Sequence, residues 1–75
     1  KEFGQYYKVA RMFVKYIGNP RVMRECVRLG MHSKPLMEML LRIMANLMRS
    51  ENKGFAERTY KTFASAVARE KTSIR

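Results

Sequence analysis

The sequence predicts an all-α chain of three to four short helices, forming a helical domain that is marginal or non-autonomous by itself. Three observations carry that expectation. Apolar residues recur at the 3, 4, 7 spacing of a helical face, with no stretch of the strict alternation that marks a half-buried strand. Two clusters, Gly18-Asn19-Pro20 and Gly30 to Pro35, hold residue types that end one helix and begin the next. Finally, 75 residues form at most a small core. Such a chain buries only about 60% of its unfolded surface, and its stability without a staple seldom exceeds about 3–5 kcal/mol.

The first helix is expected over about Glu2 to Ile17, where Phe3, Tyr6, Tyr7, Ala10, Phe13, Val14 and Ile17 share a face. Lys8, Arg11 and Lys15 follow i, i+3, i+7 on another face. Gly18 supplies the left-handed residue that ends the helix, Asn19 is a favoured N-cap, and Pro20 fits the first helical position, where its missing N–H costs nothing. A second helix follows over about Pro20 to Leu29, with Gly30 as its stop. Arg21, Arg24 and Arg28 again fall at i, i+3, i+7.

Ser33 can cap the third helix, about Lys34 to Met48, and Pro35 is tolerated in its first turn. This is the most apolar segment. Glu38, Arg42, Asn46 and Arg49 form one narrow polar stripe, so the helix should be central or should contact something apolar outside the chain. Three short amphipathic neighbours cannot cover it on all sides, and exposed apolar surface is expected. A membrane span needs roughly 20 apolar residues, and this run is shorter and carries Glu38 and Arg42. After a loop over Ser50 to Gly54, a fourth helix is expected from about Phe55 to Arg69, with Ala56, Tyr60, Phe63, Ala64, Val67 and Ala68 inward. Residues 1–70 thus read as one helical domain and 71–75 as a polar tail, frayed as chain ends commonly are.

Sixteen Lys/Arg against six Asp/Glu give a net charge of +10, which argues for an anionic partner: nucleic acid, a membrane surface or an acidic protein. With one cysteine, Cys26, and one histidine, His32, neither an internal disulfide nor a His/Cys metal cluster can be built. Cys26 reads as a small apolar residue in a reducing compartment, and His32 as a solvated linker residue. Glu38 and Arg42 read as an i, i+4 pair lending modest helix support. No catalytic or nucleotide-binding motif is present: GxGxxG, a P-loop, CxxC and HExxH are all missing. The first residue is Lys1 and no signal-peptide pattern follows, so the chain is expected to be a portion of a longer protein whose chemistry lies upstream.

Residues 20–45 can be arranged as a helix-turn-helix, but Met37, Met39, Leu40, Leu41, Ile43 and Met44 give its second helix no polar face for base edges. Tyr6, Tyr7 and Tyr16 beside basic residues suit a membrane interface as well as a core, whereas Phe13 suits a core.

Several blocks together resemble the C-terminal region of the actinobacterial geranylgeranyl reductase family. They are Tyr6-Tyr7, Arg11-Met12-Phe13-Val14-Lys15, Ile17-Gly18-Asn19-Pro20-Arg21-Val22-Met23, Gly30-Met31, Pro35-Leu36-Met37 and Leu41-Arg42-Ile43-Met44-Ala45-Asn46-Leu47. The likeness is good over roughly residues 3–49 and weak over 54–68, where Glu57, Arg58, Lys61, Arg69 and Lys71 add charge. The resemblance implies a parent flavoprotein that uses FAD to reduce isoprenoid double bonds. It implies no catalytic or cofactor-binding residue in this chain, because the family's flavin-binding motifs lie elsewhere. What it implies here is a helical appendage packed on the flavin and substrate domains, near a prenyl lipid or quinone.

Two sets of residues are then expected to matter. Met37, Leu40, Leu41, Met44, Leu47 and Met48 would make the apolar contact with the catalytic body or prenyl substrate. Arg21, Arg24 and Arg28 would meet anionic head groups, with the protein in the cytoplasm or peripheral at the inner membrane face. A basic module binding nucleic acid or an acidic protein, or an oligomerisation unit built on the Met-rich helix, are the alternatives.

Overall fold

The chain forms four helices in succession: α1 (Glu2–Lys15), α2 (Pro20–Gly30), α3 (Lys34–Met48) and α4 (Lys53–Ser73). The computed structural model describes residues 2–73, and their side chains from 4 to 72. Among these residues there is no strand, as expected for an all-α domain. The inward role expected for Phe3 and the last two tail residues, Ile74 and Arg75, lie outside the described residues.

The α1–α2 turn is built as its residues require. Gly18 adopts φ 94°, and the Asn19 N–H donates to the Tyr16 carbonyl at 2.9 Å. Asn19 sits in extended backbone, and its Oδ1 accepts from the N–H groups of Arg21 at 3.0 Å and Val22 at 3.4 Å. The positive φ is what calls for glycine, and a Cβ on Gly18 would in addition lie 3.3 Å from the Phe55 ring and press it back slightly. Ser33 caps α3, its Oγ accepting from the Leu36 N–H at 3.4 Å.

Gly30 serves a different purpose from the one its type suggests. It is the last residue of α2, it is buried, and it has no positive φ. A Cβ there would stand 3.2 Å from Leu40 Cδ1 and 3.2 Å from Met37 Cε, so glycine lets α2 and α3 approach closely. The fourth helix is also longer than expected at both ends. Asn52 caps it, with Oδ1 accepting from the Phe55 N–H at 3.1 Å, while Lys53 Nζ donates to the Met48 carbonyl and closes the end of α3. At the other end, residues 71–73 continue the helix rather than forming a tail. The run Ala66 to Lys71 is rich in good helix formers, and the Thr72 hydroxyl turns back to the Arg69 carbonyl at 2.7 Å.

Both α2 and α3 meet all three other helices, so α3 is central as expected, but α2 is the more extensively packed. It packs against all three other helices, most extensively α4, and contributes Met23, Cys26 and Val27, all fully enclosed. From α3 come Leu36, Leu40 and Met44, from α1 Phe13, and from α4 Phe63 and Ala66. The backbones of α1 and α4 do not meet, but Phe13 and Phe63 bridge them edge to face with ring centroids 6.0 Å apart. The inward face of α4 is Ala56, Thr59, Phe63 and Ala66. This corrects the expected face. Small side chains let α4 lie close against α2, and Tyr60, Ala64 and Ala68 turn outward.

Removing the ring that joins the two outer helices should cost about 3–5 kcal/mol. That is comparable with the whole stability of a domain this size, so Phe13→Ala is expected to abolish cooperative urea unfolding at room temperature. Asn19→Ala should cost only about 1 kcal/mol, lowering the urea midpoint while leaving the slope of the transition unchanged.

Candidate functional site

The six residues expected to form an apolar contact divide between inside and outside. Leu40 and Met44 are buried in the chain's own core and are withdrawn from that set, because no partner can reach them without unfolding the domain. Met37 and Leu47 are half-buried against the core. Leu41 is 51% exposed and Met48 38% exposed. Helix periodicity explains the split for Leu41, whereas Met48, on the same stripe as Leu40 and Met44, is the last residue of the helix. Leu36, Leu40 and Met44 lie four apart on the face that meets α2, and Leu41 lies one residue, about 100°, further round.

Leu41 and Met37 join Met31, Tyr60, Phe63 and Val67 in an open apolar groove of about 470 Å³ between α3 and α4. On the opposite side of α3, Ile43, residues of α1 including Tyr7, Met12 and Val14, and Tyr16 of the following turn line a second groove of about 520 Å³. Of the tyrosines, Tyr6 packs against the core and Tyr7 is 62% exposed. Tyr16 is exposed and lies under Lys15, whose Nζ stands 5.6 Å from the ring centroid. Phe13 is a core ring, as its pattern indicates.

The three arginines of α2 are exposed but not equivalent. Arg28 is engaged by Glu25 through a two-pronged hydrogen-bonded ion pair on the same helix. That hydrogen bond holds the Glu25 carboxyl below the usual range and raises Arg28 further, with a contribution from Glu70 to the latter. A carboxyl lowered on folding stabilises above its unfolded pKa, and that gain is lost as pH falls through the folded value. Both groups are solvated, so salt screens the pair. Arg24 instead faces α4, where Lys61, Thr62, Ser65 and Arg69 form the other wall of a cleft of about 280 Å³. Sequence reasoning passed over Lys61 and Arg69 as scattered charge. The signal was present, since Lys61, Ser65 and Arg69 repeat every four residues, but only packing shows which arginine they oppose.

Other candidate groups have ordinary roles. His32 is exposed in the α2–α3 connection. Glu38 and Arg42 are both exposed, and no ion pair joins them. Among the described residues no three His, Cys, Asp or Glu side chains gather as a metal site would require. No helix among them is long and apolar enough to cross a membrane.

The fold and its surfaces define a small all-α domain, basic along the α2–α4 seam and apolar on both flanks of α3. No family model, curated protein or solved structure matches the chain.

Cys26 yields a direct test of the core. Its Sγ is enclosed, 3.8 Å from the Val9 carbonyl, and burial pushes the thiol pKa up, with the Glu25 charge adding to it. A raised thiol pKa stabilises the fold at low pH, and that contribution is lost as pH rises through the folded value. At mildly alkaline pH, iodoacetamide should alkylate the folded chain at least about tenfold more slowly than the chain in concentrated urea. Mass spectrometry reads the rate.

Proposed function

We propose that the chain is the C-terminal helical part of an FAD-dependent reductase of isoprenoid double bonds, of the geranylgeranyl reductase type. It covers the catalytic body and helps wall the apolar path of the prenyl chain. The observation that carries this reading is the pair of blocks Ile17–Met23 and Leu41–Leu47. The first forms the capped α1–α2 turn, and the second forms the half of α3 that leaves Leu41 in solvent. Uncovered apolar side chains support the same reading. Met37, Leu41, Leu47 and Met48 remain as the contact set, with Tyr60 and Val67 beside them on α4. A domain this small gains stability by burying such a face against a larger body.

Nothing in these residues fits a flavin, since there is no Gly-rich phosphate loop, so no FAD contact and no catalytic step is assigned to the chain. FAD belongs to the remainder of the parent. Arg21 and the tyrosines at 7 and 16 are exposed where an anionic membrane at the cytoplasmic face could meet them.

The full-length gene product is expected to carry bound flavin and, when supplied with reductant, to add two hydrogens to each prenyl double bond it saturates. Leu41→Asp with Val67→Asp should keep the flavin spectrum but lower prenyl reduction by on the order of tenfold or more, through misplacement of the channel wall. A gene product that binds no flavin overturns the reading. The net charge of +10 favours one rival, a basic module binding nucleic acid or an acidic protein. Micromolar or tighter duplex binding near physiological salt, with a steep salt slope, would put it first.

A further inference from the structure

We infer that the groove between α1 and α3 receives an amphipathic helix of a partner protein, with its apolar face inward and an acidic flank beside Arg11 and Lys15. The inference does not rest on the reductase reading. Seven large apolar side chains are exposed among the described residues, and four of them, Tyr7, Met12, Val14 and Tyr16, line this one groove. Apolar side chains scattered singly are what an ordinary surface carries, so this concentration marks a contact surface. Local packing makes it concave. Ala10, a small side chain, lies between Tyr7 three residues before it and Val14 four residues after, and leaves a trough there. Ile43 of α3, half-buried against the core, closes the floor.

Charge selects the partner. At about 100° per residue, Arg11 and Lys15 fall on the solvent side of Ala10 and Val14, and both line the groove. Neither pairs with a carboxylate among the described residues, and no carboxylate is among the described residues of the lining. The Lys15 ammonium rests over the Tyr16 ring, which orients it beside the groove without neutralising it. An apolar floor with a cationic edge is the complement of a helix whose apolar face is bordered by Asp or Glu. A second copy of this chain would bring its own charge of +10 to the same face, and like charges oppose such pairing. Nucleic acid offers phosphates to Arg11 and Lys15 but nothing aliphatic to cover Val14, which is 52% exposed. A bilayer meeting Tyr7 and Tyr16 would touch the lips of the trough and leave Ile43 uncovered, whereas the convex ridge of a helix reaches the floor.

The probe is a synthetic helix of about 20 residues, longer than the about 12–15 below which isolated helices are marginal in water. It carries leucine at i, i+3, i+4 and i+7, glutamate along both flanks and alanine elsewhere; a second peptide has lysine in place of each glutamate. Fluorescence anisotropy of the labelled peptides gives their dissociation constants with the chain. The glutamate peptide should bind at least about tenfold more tightly than the lysine peptide at low salt. That preference should shrink at about 1 M salt, where the Debye length is about 3 Å. Val14→Asp sets a carboxylate against the apolar face and should weaken binding at least about tenfold. Arg11→Gln/Lys15→Gln should weaken it severalfold and remove most of its salt dependence. The charge-matched pair Arg42→Gln/Arg49→Gln lies outside the groove and should change both far less. All five positions are exposed, so melting followed by circular dichroism should stay near that of the unaltered chain. The proposal is overturned if the glutamate peptide does not bind, if the two peptides bind alike, or if the two double variants lose binding equally. Phosphatidylglycerol vesicles form the last arm. Vesicle binding that Val14→Asp loses, with no preference between the peptides, gives the face to a membrane and overturns the proposal as well.

Discussion

Everything in this fold depends on α2 being held in place from all sides. Eleven residues make a helix too short to persist alone in water, yet its backbone must carry the side chains that the other three helices enclose. Its start is set by Gly18, Asn19 and Pro20, which order the turn locally. Its position is set by closeness. Gly30 admits Leu40 and Met37 of α3, and Ala56 and Ala66 of α4 are buried in the same core. Small residues at the contacts let Met23, Cys26 and Val27 be fully enclosed in a chain of only 75 residues.

That arrangement decides what the surfaces become. Helix α3 also touches all three neighbours, but only Leu36, Leu40 and Met44 of it are buried. Ile43 on one side and Met37 and Leu41 on the other border two open grooves, one with α1 and one with α4. Because α4 lies against α2, a basic stripe of the former meets an arginine of the latter. Three of the sixteen basic residues, Arg24, Lys61 and Arg69, thereby come to line one cleft, while the other described ones stay on solvated faces elsewhere.

The parts legible in the sequence are those governed by local chemistry. Asn19 and Ser33 have to satisfy the N–H groups of the next turn whatever the tertiary fold, and both do so. Asn52 followed the same rule and could have been read in the same way, which would have moved the start of α4 to Lys53. Less legible were choices made by packing. Hydropathy placed Ala56 and Phe63 inward on α4 as found, but it also put Tyr60, Ala64 and Ala68 there, where the close approach to α2 favoured Thr59 and Ala66. Hydropathy likewise could not separate Leu40 and Met44 from Leu41 and Met48, since α3 is apolar on most sides and only its neighbours decide which side is covered. Gly30 showed a third kind of ambiguity: a residue type that usually ends a helix was there to admit a neighbouring helix.

The two surfaces share α4 without competing for it. At about 100° per residue, the strip Lys61, Ser65 and Arg69 runs from the back of the helix towards one flank of the buried face, and Tyr60, Ala64 and Val67 fall on the other flank, with Ala68 beside Lys61. A single flat surface laid against one flank leaves the other facing away. An interfacial amphipathic helix, by contrast, keeps its apolar face in the lipid and its basic residues at the rim of the same plane. This geometry therefore suits two separate surroundings better than one. An apolar body can cover the α3 side while the α2–α4 seam stays in water. Cations do border the apolar grooves, Lys71 beside α3–α4 and Arg11 and Lys15 beside α1–α3, and their long stems let the charged ends stay in water at the rim of a docked apolar body.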